Sequence, residues 1–183
     1  MDWTNVYPYF SDERCVPPDD ERSNYKSAWD TLLSKVPVPE SNVRRMRGED
    51  PPARAAEAYA RLLRDACGEP PRLDLVLLGM GADGHTASLF PGSDPLAEDA
   101  ALVRAPFVGQ AQMYRLTMTP RVINAARLVV IATEGFAKAE ALARVREGAY
   151  DPRTLPIQIV APTDGRLLWL VDRAAASKLH DER

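Results

Sequence analysis

The apolar run Leu73-Asp74-Leu75-Val76-Leu77-Leu78 passes directly into Gly79-Met80-Gly81-Ala82-Asp83-Gly84-His85-Thr86-Ala87-Ser88-Leu89-Phe90-Pro91-Gly92. A run this short and this apolar predicts a strand with both faces buried, as in a parallel sheet. The glycines predict a tight turn at the carboxyl end of that strand, the edge where ligands bind in open α/β sheets. Asp83 and His85 are delivered there. His85 is one of two histidines in the chain, and the other, His180, lies in a polar tail.

Strand and helix patterns alternate along the rest of the sequence. Val6–Phe10 is a short apolar run with strand character, weakened by Pro8. Ser23–Leu33 has helical periodicity, with Tyr25, Ala28, Trp29, Leu32 and Leu33 on one face. Val43–Met46 fits a minor strand. Pro51-Pro52 opens a helix that runs to about Ala66, with Ala55, Tyr59, Leu62, Leu63 and Ala66 on its apolar side and Gly68 as its stop. Tyr114–Thr119 and Leu128–Ala132 read as strands, and Thr119-Pro120 as a helix cap and first residue. A helix follows from Phe136 to Val145, then strands at Ile157–Val160 and Leu167–Val171, with Trp169 in the core. A last helix spans Asp172–Leu179. The expectation is one α/β domain over residues 1–183, a Rossmann-like three-layer sandwich with a mainly parallel sheet and helices on both faces.

Charge and cysteine content narrow the function. The net charge of −3 argues against a nucleic-acid or anionic-membrane partner. No apolar stretch reaches the roughly 20 residues of a membrane span. Cys15 and Cys67 match no zinc spacing, so two free thiols in a cytoplasmic protein are expected.

Several reactive side chains fall at predicted strand ends. Asp12 and Arg14 follow the first strand, Asp83 and His85 the central one, and Lys138 starts the helix after Leu128–Ala132; Arg115 lies within its strand. Arginine forks and a lysine suit phosphate, and helix N-termini near His85 and Phe136 would add backbone donors. An imidazole, with an ordinary pKa of about 6.5, suits proton abstraction from water near neutrality. The chemistry implied is proton transfer on a phosphorylated small molecule. Plainer readings stand beside this one. His85 can be a polar turn residue and Asp83 a helix cap; Arg14, Arg115 and Lys138 can be ordinary exposed cations. Ser88 lacks the Gly-x-Ser-x-Gly elbow of a serine hydrolase. Gly79–Gly84 fits a dinucleotide fingerprint, but no acidic residue ends a second strand about twenty residues later.

Asp12-Glu13-Arg14-Cys15-Val16-Pro17, Arg22-Ser23-Asn24-Tyr25, Asp74–Gly92, Arg115–Thr119 with Ile123-Asn124, Thr133–Ala139, Leu155-Pro156 and Trp169–Asp172 together resemble the sugar-phosphate isomerase, deaminase and lactonase superfamily, the 6-phosphogluconolactonases in particular. The resemblance implies hydrolysis of 6-phospho-D-glucono-1,5-lactone to 6-phospho-D-gluconate, in the pentose phosphate pathway, without metal or cofactor. It makes His85 the general base, Asp83 its electrostatic partner and Asp12 a further acid–base residue. Arg14, Arg115 and Lys138 become phosphate ligands or charge stabilisers, and the turn at Gly81 and Gly84 a substrate-binding backbone. The family ordinarily opens further upstream, with a strand ending in a Ser-Gly-Gly-Ser-type phosphate loop. This sequence opens just before Asp12, so that strand and loop are expected to be missing, leaving neighbouring edges and apolar faces uncovered. Two alternatives remain: an aminosugar-phosphate deaminase or isomerase, and a non-catalytic sugar-phosphate-binding fragment.

Overall fold

The computed structural model describes residues 1–97 and 100–180. In chain order its elements are β1 (Asp12–Arg14), α1 (Asn24–Thr31), α2 (Pro52–Cys67), β2 (Val76–Gly79), β3 (Val103–Arg104), β4 (Phe107–Val108), β5 (Met113–Met118), α3 (Pro120–Ile123), β6 (Leu128–Thr133), α4 (Ala139–Glu147) and β7 (Arg166–Val171), joined in part by short 3₁₀ turns. They form two compact units, Met1–Leu62 with Val103–Thr117, and Leu63–Leu102 with Met118–Arg183.

The first unit is organised on β5. β1 pairs antiparallel with it in the register Asp12–Thr117, Glu13–Leu116 and Arg14–Arg115, and β4 pairs antiparallel through Phe107–Tyr114 and Val108–Met113. Strand alternation puts Asp12, Arg14, Arg115 and Thr117 on one face, and Glu13 with Leu116 on the other. The expected strands at 6–10 and 43–46 reduce to a single bridge between Tyr9 and Arg44. Pro8 has no N–H to offer a ladder, and its carbonyl takes the Arg44 N–H at 2.8 Å. The Tyr59 hydroxyl on α2 accepts the Phe10 N–H at 2.8 Å and lies 3.0 Å from the Arg44 carbonyl, which uses up groups a sheet would need. Asp12 and Arg14 therefore do not follow a strand; they are the strand, three residues long.

The second unit holds the parallel sheet, in the order β2-β6-β7. Leu78 faces Ile131, and Ile131 faces Trp169. On this side Val76, Leu78, Val129 and Ile131 are buried, whereas on the other Leu77, Leu168 and Leu170 are 66%, 44% and 53% exposed. Trp169 is half-buried rather than core, because β7 is an edge strand; the Arg146 guanidinium lies 5.5 Å over its ring. The expected strand at 157–160 is a 3₁₀ turn over Pro156–Ile159. Its backbone is claimed locally. Asn124 donates to the Ile159 carbonyl and accepts from the Ala161 N–H, both at 2.9 Å. The Ile157 N–H goes to Gly84 O. The final helix is likewise only a 3₁₀ turn, Ala175–Lys178, although the Asp172 carboxylate accepts from Ala175 N at 2.7 Å, as an N-cap does, and from Gly135 N at 3.1 Å.

These environments set expected stabilities. Ile131→Ala, at a fully buried position, is expected to cost about 2–5 kcal/mol through lost burial and a cavity. Leu77→Lys is expected to change stability by no more than about 0.5 kcal/mol. Urea unfolding of the two variants beside the parent measures both.

Candidate active site

β2 ends at Gly79 and the chain folds back on itself at once. Gly81 N–H donates to His85 O at 2.8 Å, and Gly84 N–H to Gly81 O at 3.0 Å. Gly84 has φ +79°, in the left-handed region that glycine occupies without strain. The Thr86 hydroxyl donates back to Gly79 O at 2.8 Å. No helix begins at His85: Thr86 to Leu89 is a tight turn, with Ala87 at φ 47° and Ser88 buried within it. The helix-end donors expected here are therefore absent, and Asp83 has no helix to cap.

Asp83 is bonded to His85 instead. Its Oδ1 accepts the His85 backbone N–H at 3.1 Å and lies 2.5 Å from Nδ1 of the ring. Partial burial alone would raise the Asp83 carboxyl, but the bonds and charge of His85, with a backbone bond of its own, together hold it below the usual carboxylate range. An ionised carboxylate can only accept, so the contact assigns the donor role to Nδ1 and leaves Nε2 outside the pair. The ring stacks on Phe90, centroids 4.4 Å apart. Gly81 makes this placement possible, because a Cβ there would lie 2.1 Å from Nδ1 and 2.6 Å from Asp83 Oδ1. Gly81→Ala is expected to abolish the Asp83–His85 bond while leaving the protein folded. Loss of the slowly exchanging Nδ1–H signal in imidazole NMR reports that outcome.

Lys138 belongs to the same unit. It ends a 3₁₀ turn, Phe136–Lys138, and precedes α4, which begins three residues later than the sequence suggests. Its Nζ donates to Met80 O at 2.5 Å, beside the glycine turn. Gly135, at φ 86°, opens this segment and is tied by its N–H to Asp172.

The first unit gathers the remaining predicted residues. Arg14 and Arg115 sit directly opposite each other on β1 and β5. Burial pulls the Arg115 guanidinium below its ordinary range, and the charge of Arg14 adds to the effect. Like charges opposed across a ladder destabilise it, so an anion between the two cations would relieve the strain. Arg14 Nη1 donates to Arg22 O, and Arg14 Nε is buried without a hydrogen-bond partner among the described residues. Asp12 is gripped by Asn24, whose Nδ2 donates to the Asp12 carbonyl at 2.9 Å and to its Oδ1 at 3.0 Å. Burial and the nearby Glu13 push the adjacent Cys15 thiol up to about 11, which makes it unreactive. Glu13, Asn24 and Phe90 were not singled out from the sequence. Strand alternation across Asp12-Glu13-Arg14 is the signal that sets Glu13 apart.

Residues 1–169 match the family described as glucosamine-6-phosphate isomerases/6-phosphogluconolactonase. The chain belongs to this family. Among its members, human 6-phosphogluconolactonase is 42% identical over 174 residues, which is 93% of this chain and 67% of the human protein. A probable 6-phosphogluconolactonase 2 of rice, Oryza sativa subsp. indica, is 35% identical over 197 residues, spanning all of this chain and 70% of the rice protein. The 6-phosphogluconolactonase of Trypanosoma brucei superposes with a TM-score of 0.82 at 29% identity, covering 94% of this chain and 73% of that structure. No helix among the described residues is long and apolar enough to cross a membrane.

Proposed function

We propose that the chain hydrolyses 6-phospho-D-glucono-1,5-lactone to 6-phospho-D-gluconate, as a cytoplasmic enzyme of the oxidative pentose phosphate pathway. The observation that carries the mechanism is the Asp83–His85 bond, which supports a proton on Nδ1 and Nε2 as the base. His85 Nε2 takes a proton from water as its oxygen attacks the lactone carbonyl. The C–O bond to the ring oxygen then breaks, and the imidazolium returns the proton to that leaving oxygen. Asp83 stabilises the imidazolium in between.

Lys138 shares a unit with His85 and is held at Met80 O, which suits it to stabilise the oxyanion. The opposed Arg14 and Arg115 suit a phosphate dianion, which would relieve their repulsion. Asp12, held by Asn24, is assigned to orienting the sugar hydroxyls or assisting proton transfer. The Gly81–Gly84 backbone shapes the surface that the lactone meets. Nothing in this set calls for a metal or a cofactor.

Freshly generated lactone decays spontaneously, so the test is its decay with and without the purified chain. Acceleration above background, with no ammonia released from glucosamine 6-phosphate, is the expected result. A folded chain that leaves the decay unchanged refutes the reading, and ammonia release points to the deaminase chemistry instead.

A further inference from the structure

Glu13 is the side chain whose placement asks most for an explanation. It is 2% exposed and projects from the face of β1 opposite to Asp12 and Arg14, beside the fully buried Leu116. A carboxylate there is costly to desolvate, and an apolar residue would pack against Leu116 without that cost. Three of its four bonds lead to one place. Oε1 accepts from Arg14 N and Asn24 N, both at 2.7 Å. Oε2 accepts from Ser23 Oγ at 3.0 Å and from Tyr25 N at 2.8 Å. Apart from the Arg14 amide, every donor belongs to the Ser23–Tyr25 start of α1. That segment is also what grips the functional face: Arg22 O accepts from Arg14 Nη1, and Asn24 Nδ2 donates to Asp12 twice.

We infer that Glu13 is a positioning residue: from the back of β1 it bolts down the Arg22–Tyr25 segment, which in turn holds Arg14 and Asp12 on the front. A three-residue strand carries few ladder bonds of its own, and reacting groups lose about 10²-fold for a displacement near 1 Å. Four bonds to one carboxylate supply the rigidity that the strand lacks. The role in catalysis rests on the lactonase reading; the mechanical link between Glu13 and Asn24 does not.

Glu13→Gln keeps the shape but replaces one accepting oxygen with a donor. In the folded variant, hydrogen exchange of the Asn24 side-chain amide and of the Asn24 and Tyr25 backbone amides is expected to speed up at least tenfold. kcat/KM for the phosphorylated lactone is expected to fall about 10²-fold, with KM rising as well as kcat falling. Adding Asn24→Ala to Glu13→Gln is expected to change the rate by less than about twofold, because one chain of contacts is broken only once. Unchanged amide exchange overturns the link, and so do fully multiplicative effects of the two substitutions. Faster exchange with a parent-like rate per folded molecule overturns the positioning role. If the parent itself fails to turn over lactone while the amides still loosen in the variant, it is the functional reading that fails. Ser23→Ala removes one of the four bonds and gives a milder version of the same outcomes if Glu13→Gln does not fold.

Discussion

Replacing His85 by alanine is expected to lower kcat by about 10²–10⁴-fold, the usual worth of a positioned general base, while KM for the lactone stays close to that of the parent. The bonds of the ring set this outcome. Nδ1 is committed to Asp83 at 2.5 Å, one face is covered by Phe90, and Nε2 is the nitrogen left to meet water. Removing the imidazole deletes the proton acceptor but no predicted phosphate ligand, so binding survives. Stopped assays of lactone decay, with background subtracted, give both constants. A variant with the turnover of the parent would falsify the assignment of His85 as base.

Arg14→Ala is expected to do the reverse, raising KM about 10- to 10²-fold with a smaller change in kcat. A hydrogen bond to a charged group is worth about 1.5–3 kcal/mol, and each 1.4 kcal/mol is a factor of ten in affinity. The arginine is held by the Arg22 carbonyl, and its Nε has no hydrogen-bond partner among the described residues. The same substitution should leave the hydrolysis of a lactone without phosphate unaffected. Arg14→Lys restores the charge but not the planar fork, so it should recover affinity only in part. Equal losses on both substrates would move Arg14 from phosphate binding to a role in the fold.

The turn around Asp83 and His85 was more legible in the sequence than the strand at Asp12–Arg14. Glycine spacing around Asp83 and His85 is a covalent property of the chain, and the turn follows from it: Gly81 leaves room for the imidazole and Gly84 takes a positive φ. Beta strands 5, 6 and 7 were readable because each is a run of β-favouring residues six long. The strand at Asp12–Arg14 was not, since three charged residues carry no hydrophobic pattern, and what makes them a strand is pairing with β5, about a hundred residues away. The error at 157–160 has the same origin. Ile157 and Val160 are buried as their composition suggests, but Asn124 and Gly84 take the backbone groups that would otherwise form a ladder. Burial could be read from side chains; the destination of each N–H and C=O could not. Trp169 shows the limit again, as an apolar strand at the edge of a sheet looks in sequence like one at its centre.

The leucine face of the β2-β6-β7 sheet has a thermal consequence. The heat-capacity increment of unfolding comes from apolar surface that water reaches only when the chain opens, typically about 12–15 cal/mol/K per residue. Leu77, Leu168 and Leu170 are already about half or more hydrated in the folded chain, so they contribute less than buried leucines would. These three side chains therefore add little to the curvature of its stability curve.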